Sequence, residues 1–220
     1  MSNSNYVLIG SSSALSREFV NLSAEKKFYT VSTKDFSSNS HLQVCDYIND
    51  IDLITSFISK INNPTVIFFN GFMAENRPKQ YPTIEEINKT LKVNYFVPLF
   101  LTEEIDEKIN VKKFVYMSSF AAIKPRNKNF IYGHSKRLLE ETIASLNLKS
   151  YLFIRFGKIN TNFSVGHNTS IFDLEVSKAA KALAKHIDRK SGIIYPNYTT
   201  KLLSILFYII PLKAINKLGL

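Results

Sequence analysis

The chain alternates short apolar runs with longer segments in which apolar residues recur at helical spacing. Runs typical of buried strands occur at Tyr6–Ile9, Phe28–Val31, Leu42–Cys45, Thr65–Phe69, Phe114–Met117, Tyr151–Phe156 and Gly192–Tyr195. Helical spacing occurs between them, at Ala14–Leu22, Ile51–Ile61, Ile84–Ile105, Tyr132–Leu146 and Val176–Ile187. Pro98 should kink or interrupt the third of these helices, because proline lacks the backbone N–H that a helix uses.

Strands separated by helices predict an α/β fold with a doubly wound, mainly parallel sheet and helices on both faces. We expect one domain, spanning residues 1–197, followed by an apolar helical tail at residues 198–220. In such folds ligands bind beyond the carboxyl ends of the strands, where the strand order reverses. Functional residues should therefore follow Ile9, Val31, Phe69, Met117 and Phe156.

The turn after the first strand has the small residues that a dinucleotide site needs. It contains Gly10, Ser12, Ser13, Ala14 and Leu15, and a helix begins there, so that backbone N–H groups and the helix dipole could hold a pyrophosphate. With one glycine in this turn, an ordinary serine N-cap turn is the alternative interpretation.

The residues after the second strand bear on which nucleotide binds. A basic residue there accommodates a 2′-phosphate, whereas an acidic residue binds the free 2′-hydroxyl. Thr33 and Lys34 favour NADP(H) over NAD(H), and Asp35 leaves NAD(H) open.

The most informative stretch holds Ser119 at the end of a strand and, thirteen residues later, Tyr132 followed by Lys136. Tyr132 and Lys136 are four residues apart, so on a helix they share a face. A lysine cation beside a phenol should lower the tyrosine pKa, and the phenol could then exchange a proton during hydride transfer. The Ser119 hydroxyl could hold a substrate oxygen beside it.

These residues resemble the short-chain dehydrogenase/reductase family, with its NAD(P)-binding Rossmann fold, over almost the whole chain. The family's YxxxK pair matches Tyr132 and Lys136, and its catalytic serine matches Ser119. By the same resemblance Asn94 anchors a water in the proton relay and Asp46 contacts the adenine. The resemblance also implies a shortened NNAG turn at Asn70 and Gly71, and nicotinamide contacts from the Ile159 backbone and Thr161.

The resemblance implies an NAD(P)-dependent oxidoreductase that moves a hydride between the cofactor and a carbonyl or secondary alcohol. Tyr132 would exchange the proton with the substrate oxygen, and Lys136 would also bind the nicotinamide ribose. Family members commonly pair through helices equivalent to Ile84–Ile105 and Tyr132–Leu146, so a homo-oligomer is expected. Ala14, Ser16, Phe69 and Phe156 depart from the family pattern, which bears on cofactor affinity and on the details of the turn, and the four catalytic positions are intact.

Composition excludes several other classes. The formal net charge is +10, but the basic residues are scattered and no nucleic-acid-binding motif is present, so no nucleic-acid partner is expected. The single cysteine, Cys45, cannot form an intrachain disulfide, and we expect it in the core. No metal site is predicted. The polar N-terminus and early Gly10 do not indicate a signal peptide, which favours a cytoplasmic location.

The tail is strongly apolar from Leu202 to Leu212 and is flanked by Lys201, Lys213 and Lys217. It is shorter than the ~20 residues of a spanning helix, so it suits either an anionic membrane surface or packing on protein. Its Tyr195-Pro196 step and apolar helix resemble the family branch that reduces lipid-linked keto-sugars.

We therefore expect a ketoreductase for a carbohydrate or polyprenyl-linked keto-sugar in cell-surface polysaccharide synthesis, peripheral to the inner membrane surface. A reductase of a soluble ketone or 3-oxoacyl thioester, and a scaffold that senses NADP(H) without turnover, are the alternatives. His167 and Asn168, in the short segment before Val176, could contact polar groups of the substrate.

Overall fold

The computed structural model describes residues 4–23, 25–36, 38, 40–74, 81–161, 173–189 and 191–217. Its strands are β1 (Asn5–Ile9), β2 (Lys27–Ser32), β3 (His41–Gln43), β4 (Thr65–Phe68), β5 (Lys113–Ser119), β6 (Tyr151–Phe156), β7 (Ile159–Asn160), β8 (Leu174–Glu175) and β9 (Gly192–Ile194). Its α-helices are α1 (Ala14–Asn21), α2 (Ile51–Ser59), α3 (Ile84–Leu91), α4 (Val97–Lys108), α5 (Phe130–Ser145), α6 (Val176–His186), α7 (Tyr198–Ile209) and α8 (Leu212–Lys217).

Seven strands form one sheet in the order β3-β2-β1-β4-β5-β6-β9, and every neighbouring pair is parallel. The chain winds outward from β1 to β3 and then returns to the centre to add β4 on the other side of β1. The strand order therefore reverses between β1 and β4. This confirms the predicted doubly wound α/β fold and places its ligand edge at the carboxyl ends of these two strands.

Side chains of β1 alternate between two apolar layers, as the pleat of a strand requires. Val7 and Ile9 lie in a core that includes residues of α2, α4 and α5, whereas Tyr6 and Leu8 lie in a core that includes residues of α1 and α6. Burial on both faces explains why β1 reads as a continuous apolar run rather than an alternating one.

The long helical segment predicted at Ile84–Ile105 is interrupted, as expected from Pro98. A π-helical stretch at Lys92–Phe96 joins α3 to α4, and Pro98 lies in the first turn of α4. Proline offers no N–H to the carbonyl four residues earlier, which is that of Asn94, and its ring crowds that carbonyl. The wider π turn accommodates both effects and carries Asn94 into the interior, fully buried.

Two local expectations differ from the structure, and one short strand pair was not predicted. Cys45 is exposed rather than in the core, because it follows β3, the edge strand of the sheet, where one side of the chain has no neighbour. The short parallel pair of β7 and β8 was not predicted, since two residues are too few to give a pattern. The tail forms two helices, because Pro211 follows the end of α7.

The tail packs against the segment that links β5 to α5. Phe207 and Ile215 are buried with Ile123, and the rings of Phe207 and Phe120 meet edge to face at 4.8 Å. Lys124 Nζ donates to the carbonyl of Ile210 at 2.7 Å, near the end of α7. The inner side of the tail is thus held by packing and hydrogen bonds.

Candidate active site

The strand-order reversal brings the backbone after β1 against the backbone after β4. Gly10 has φ of +78°, and a Cβ added to it would lie 2.9 Å from the backbone N of Asn70. Only glycine satisfies both the left-handed backbone and the close approach. Beside it, the side-chain oxygen of Asn70 is buried without a hydrogen-bond partner. The edge of the sheet thus has a tight backbone cradle and a free acceptor.

Helix α1 starts directly behind this cradle. Ser13 is its N-cap, and the Ser13 side chain accepts from the N–H of Ser16 at 3.1 Å. Ser12, Ala14 and Leu15 complete the turn, and no acidic residue lies in the first turn of the helix. The positive end of the helix dipole is therefore not neutralised by a nearby carboxylate, which suits an anion such as a pyrophosphate.

The turn after β2 lies next to the same cradle. The backbone N of Gly10 donates to the carbonyl of Val31 at 2.9 Å, and Ser32 Oγ bonds the backbone of Lys34 through both N and O. Thr33 and Lys34 are exposed, and Lys34 has no ion pair with any residue that the structure describes. Its ammonium is free to meet an anion at this edge.

Tyr47, which the sequence analysis missed, belongs to this neighbourhood. Burial raises its pKa to about 12, while the backbone N–H groups of Thr33 and Gly10 act in the opposite direction. Its hydroxyl thus lies where the turns after β1 and β2 meet. No sequence signal identifies Tyr47, because its position depends on how the segment after β3 folds back over the sheet edge.

Ser119 and Tyr132 come together as the sequence predicted. Ser119 is the last residue of β5, and Tyr132 lies in the first turn of α5, beyond a connection that includes two short 3₁₀ turns. Their side chains form a hydrogen bond. The Ser119 hydroxyl also accepts from the N–H of Ala121 at 3.1 Å, which orients it at the strand end.

Lys136 lies one turn further along α5, on the same face as Tyr132. Its side chain is 4% exposed, and Nζ donates to the carbonyl of Met117 at 3.0 Å and to that of Asn70 at 3.4 Å. The ammonium therefore lies between the carboxyl ends of β4 and β5. This location joins the Ser119–Tyr132 pair to the cradle at Gly10.

The predicted lowering of the Tyr132 pKa by Lys136 is wrong for this structure. Burial raises the pKa of Tyr132 above its usual range, and only the hydrogen bond from Ser119 opposes it. Burial likewise lowers the pKa of Lys136 to about 8, with Glu140 acting in the opposite direction. The free energy lost when a phenolate or an ammonium is removed from water exceeds the free energy gained from the local contacts. Burial therefore favours the neutral form of Tyr132.

Asn94 is fully buried, and its side chain forms hydrogen bonds with the segment that follows the cradle. Its side-chain oxygen accepts from the N–H of Phe72 at 2.8 Å, and its side-chain nitrogen donates to the carbonyl of Phe72 at 2.8 Å and to Ser135 Oγ at 3.0 Å. The side chain thus ties the segment that contains Gly71 to α5. Its predicted role in anchoring a water stays a prediction.

Asp46 is already engaged by protein groups. It accepts from the N–H groups of Ile48 and Asn49 and pairs with Lys92 at 2.5 Å, and these contacts hold its pKa below the usual range. The adenine contact predicted for Asp46 stays a prediction, and it would have to share the carboxylate with Lys92.

Ile159 and Thr161 follow β6 on the same edge of the sheet. Ile159 lies in β7, paired with Leu174 of β8, and the neighbouring Lys158 pairs with Asp173 at 3.3 Å. Their predicted contacts with a nicotinamide stay predictions. His167 and Asn168 lie outside the described residues.

A second group that the sequence analysis missed lies behind Lys136. Glu140, 4% exposed, accepts from Ser118 Oγ at 2.6 Å and from Arg155 Nε at 2.9 Å. Arg155 Nη1 in turn donates to the hydroxyl of Tyr195 at 3.0 Å. The spacing of 132, 136 and 140 on one helix face was a usable signal, but the partners from β5 and β6 were not visible in the sequence.

Comparison with solved structures supports the fold. A short-chain dehydrogenase from Burkholderia cenocepacia J2315 in complex with NADP has a TM-score of 0.75 at 13% identity, covering 95% of this chain and 98% of that one. A short-chain dehydrogenase from Sphingobium yanoikuyae in complex with NADPH has a TM-score of 0.70 at 15% identity, with coverages of 94% and 96%.

The aldohexose dehydrogenase of Thermoplasma acidophilum in ligand-free form has a TM-score of 0.70 at 15% identity, with coverages of 88% and 92%. The resemblance to short-chain dehydrogenases/reductases is thus confirmed at the level of the fold. Comparison with curated protein sequences gives no match.

A family model gives the remaining comparison. The model described as "Polysaccharide biosynthesis protein" matches residues 14–181, which is more than half of the chain and runs from the start of α1 to the middle of α6. It includes the strand end at Ser119 and the helix that carries Tyr132 and Lys136. The chain therefore belongs to this family of polysaccharide biosynthesis proteins, built on the fold of the short-chain dehydrogenases.

Proposed function

We propose that the protein is an NAD(P)-dependent oxidoreductase that reduces a carbonyl group of a carbohydrate. The observation that carries the proposal is the hydrogen bond between Ser119 and Tyr132, with the Lys136 ammonium buried beside the cradle at Gly10. The two hydroxyl groups supply a place for a carbonyl oxygen, and the cradle supplies a place for a nucleotide.

The residues at the sheet edge fit a nicotinamide dinucleotide. The backbone at Gly10 is bare, the N-terminal turn of α1 points N–H groups at the same spot, and the side-chain oxygen of Asn70 lacks a partner. Gly10, Ser12, Ser13, Ala14 and Leu15 would hold the pyrophosphate, and Thr33 with Lys34 would hold the adenosine ribose. When bound, the nicotinamide supplies or accepts the hydride.

The proton chemistry belongs to this chain's own residues. In the direction of reduction the neutral Tyr132 hydroxyl donates its proton to the oxygen of the substrate as negative charge develops there. Ser119 donates a hydrogen bond to the same oxygen and keeps it beside the phenol. The Lys136 ammonium, on the same face of α5, would bind the nicotinamide ribose. The raised pKa of Tyr132 suits this role, because a group that must give a proton has to be protonated beforehand.

The expected assay result is oxidation of NADPH, followed by absorbance, on addition of a keto-sugar. Tyr132→Phe should retain nucleotide binding and lose activity by about 100- to 10,000-fold, the usual contribution of a general acid. Tyr29→Phe, on β2, is the matched control and should keep its activity. Equal activity of Tyr132→Phe and wild type would reject the proposed role.

We further propose NADP(H) as the preferred cofactor. The exposed Lys34 ammonium, without an ion pair among the described residues, is suited to a 2′-phosphate. The change Lys34→Glu should lower kcat/KM for NADPH by about tenfold or more and leave that for NADH largely unchanged. The change Lys60→Glu, exposed just after α2, is the control for the altered net charge. An unchanged NADPH to NADH ratio in Lys34→Glu would refute this preference.

The proposed substrate is a polyprenyl-linked keto-sugar, and the tail supports this choice. Family membership indicates polysaccharide synthesis. The outer side of α7 exposes an apolar stripe, defined here as Tyr198, Leu202, Ile205, Leu206 and Ile209, at spacings that place all five on one helix face. A water-soluble surface rarely carries such a stripe unless something covers it.

Charge indicates what covers the apolar stripe. From residue 189 to the end the sequence holds Arg189, Lys190, Lys201, Lys213 and Lys217 and no acidic residue. Apolar side chains flanked by lysines match the surface of an anionic bilayer. None of the described helices is long and apolar enough to cross a membrane. We propose that the tail lies on such a surface and presents the adjacent active site to a lipid-linked sugar.

Vesicle sedimentation tests this contact. The protein should bind vesicles that contain an anionic phospholipid and bind purely zwitterionic vesicles weakly, with the difference lost at high salt. The variant Leu206→Ser should bind less well, whereas Leu53→Ser, equally exposed at 50% on α2, should bind as wild type does. Binding that both variants retain would contradict the contact.

The substrate assay distinguishes the remaining alternatives. Turnover of the polyprenyl-phospho-keto-sugar supports the proposal. Activity on soluble ketones or 3-oxoacyl thioesters, with none on the lipid-linked sugar, would replace the substrate and leave the reaction class. NADPH binding without turnover of any of them would identify the sensing scaffold instead. The cytoplasmic location expected from the sequence stays a prediction.

A homo-oligomer also remains part of the proposal. Phe96 and Phe100 stack at 5.8 Å on the outer side of the π turn and α4, and both are about two-fifths exposed. An exposed aromatic pair on a helix is a suitable contact for a second copy. Light scattering of the purified protein tests this: the variant Phe100→Ser should shift the mass toward the monomer, and a monomeric wild type would reject the oligomer.

A further inference from the structure

Among the residues that the structure describes, one acidic neighbour acts on the charge of Lys136, and it lies one helical turn further along α5. Glu140 is buried, and its negative charge favours the protonated form of Lys136, against the effect of burial. The other titratable group on this helix face is Tyr132, and β4 and β5 meet Lys136 with the carbonyls of Asn70 and Met117.

Glu140 is also attached to the strand that carries the serine. It accepts from Ser118 Oγ at 2.6 Å, and Ser118 stands between Met117, whose carbonyl holds the Lys136 ammonium, and Ser119, which bonds Tyr132. The Glu140 carboxylate thus holds Ser118, the middle residue of the strand end. The two residues that flank Ser118 contact Lys136 and Tyr132. A shift of that strand end would loosen both contacts at once.

Arg155 fixes the carboxylate from the opposite side. Arg155 of β6 donates to both oxygens of Glu140, from Nε at 2.9 Å and from Nη2 at 2.5 Å. Its remaining Nη1 bonds the hydroxyl of Tyr195, which packs beside Phe207 and Ile215 of the tail. This bidentate hydrogen bond from the guanidinium restricts rotation of the Glu140 carboxylate and keeps it in contact with Arg155.

We propose that Glu140 is the positioning residue of this site: its carboxylate, locked by Arg155, keeps the Lys136 ammonium charged and holds the strand end at Ser118 in place beneath Tyr132. The role in turnover rests on the proposed oxidoreductase function, whereas the effect on the charge of Lys136 does not. In this role Glu140 acts through Lys136 and Ser118.

Two variants separate the two parts of the role. Glu140→Gln keeps the shape and removes the charge, so kcat should fall and the alkaline limb of the pH profile should move to lower pH by about one unit. Ser118→Ala removes the hydroxyl and keeps the charge, so kcat should fall about tenfold with little change in KM and no movement of the limb.

The matched control lies next to Glu140 on the same helix. Glu141 makes an exposed pair with Arg137 at 2.7 Å, four residues away, so Glu141→Gln removes an equal charge from α5 without touching the site. It should leave kcat and the pH profile as in wild type. A shift of equal size in Glu141→Gln and Glu140→Gln would show that net charge alone is responsible.

A readout without turnover tests the charge directly. In protein labelled with ¹³C at lysine Cε, the resonance that disappears in Lys136→Met reports the titration of Lys136 without added nucleotide. Its midpoint should lie about one unit lower in Glu140→Gln than in wild type and be unchanged in Glu141→Gln. If Glu140→Gln does not fold, the double variant Glu140→Gln/Arg155→Gln, which leaves no unpaired guanidinium, should give the same shift.

The outcomes distinguish this inference from the proposed function. An unchanged midpoint in both Glu140→Gln and the double variant overturns the inference, whatever the activity. If the midpoint shifts in Glu140→Gln but the wild-type protein turns over no carbonyl compound, the proposed oxidoreductase function is rejected. The effect of Glu140 on the charge of Lys136 is then still supported. A shifted midpoint together with reduced kcat supports both.

Discussion

Lys136 should make the folded protein more stable as the pH rises from about 8 to about 10.5. In the unfolded chain its pKa is the ordinary 10.5, whereas burial lowers the pKa in the folded state to about 8. Between these values the unfolded state binds one proton more than the folded state, so the free energy of unfolding increases with pH. Below pH 8 both states are charged, and the full cost of burying the ammonium is present.

The expected magnitude follows from that interval. At about 1.4 kcal/mol for each pH unit, the interval from 8 to 10.5 corresponds to about 3 kcal/mol. We therefore expect the variant Lys136→Met to gain stability relative to wild type at pH 7 and to lose about 3 kcal/mol of that relative stability by pH 10.5. The hydrogen bonds to Met117 and Asn70 that methionine cannot make change the level of this difference but not its pH dependence.

Urea unfolding of both proteins at half-unit steps from pH 7 to pH 10.5, without added nucleotide, measures this difference. Other buried groups, such as Lys113, whose pKa is also lowered by burial, contribute equally to both proteins and cancel. Lys181→Met, exposed on α6, should show a flat difference and serves as the control. A flat difference for Lys136→Met as well would refute the reasoning that this ammonium is buried at a cost to stability.

Three glycine substitutions, one of them within helix α5, test the remaining geometry. Gly10→Ala and Gly192→Ala both force a side chain onto a positive φ and should each cost about 1–3 kcal/mol of stability, but only Gly10→Ala, whose Cβ would meet Asn70, should also abolish NADPH binding in a fluorescence titration. Retained nucleotide binding in Gly10→Ala would place the nucleotide elsewhere. Gly133→Ala would bring a Cβ to 2.8 Å from the Ala121 carbonyl and push α5 away from the strand end, so activity should fall with a loss of about 1–3 kcal/mol in unfolding free energy.

Several features were predictable because they depend on neighbours along the chain. The continuous apolar run of β1 predicts a strand buried on both faces, and one such strand followed by Gly10 and a helix start predicts a ligand turn. Tyr132 and Lys136 share a face because four residues make about one helical turn. The interruption near Pro98 follows from two local properties of proline, its missing N–H and its bulky ring.

Other features depend on which distant segments meet. The sequence places Glu140 and Lys136 on the same face of a helix. The contacts of Glu140 with Ser118 and Arg155 form only because α5 packs against β5 and β6. The pKa of Tyr132 was predicted with the wrong sign because the cost of burial depends on the surrounding fold and not on the lysine four residues away.

The tail shows the same division. Its apolar residues predicted a helix with an unusual surface, but they left open whether that surface packs on protein or on lipid. In the folded protein one side of the tail packs on protein, with Phe207 and Ile215 buried against Ile123. The apolar stripe on the other side is exposed. Local spacing thus determined the helices, strands and the residues that share a face. Tertiary packing alone decided which charges are buried together and which apolar side remains exposed, because both depend on contacts between segments far apart in the chain.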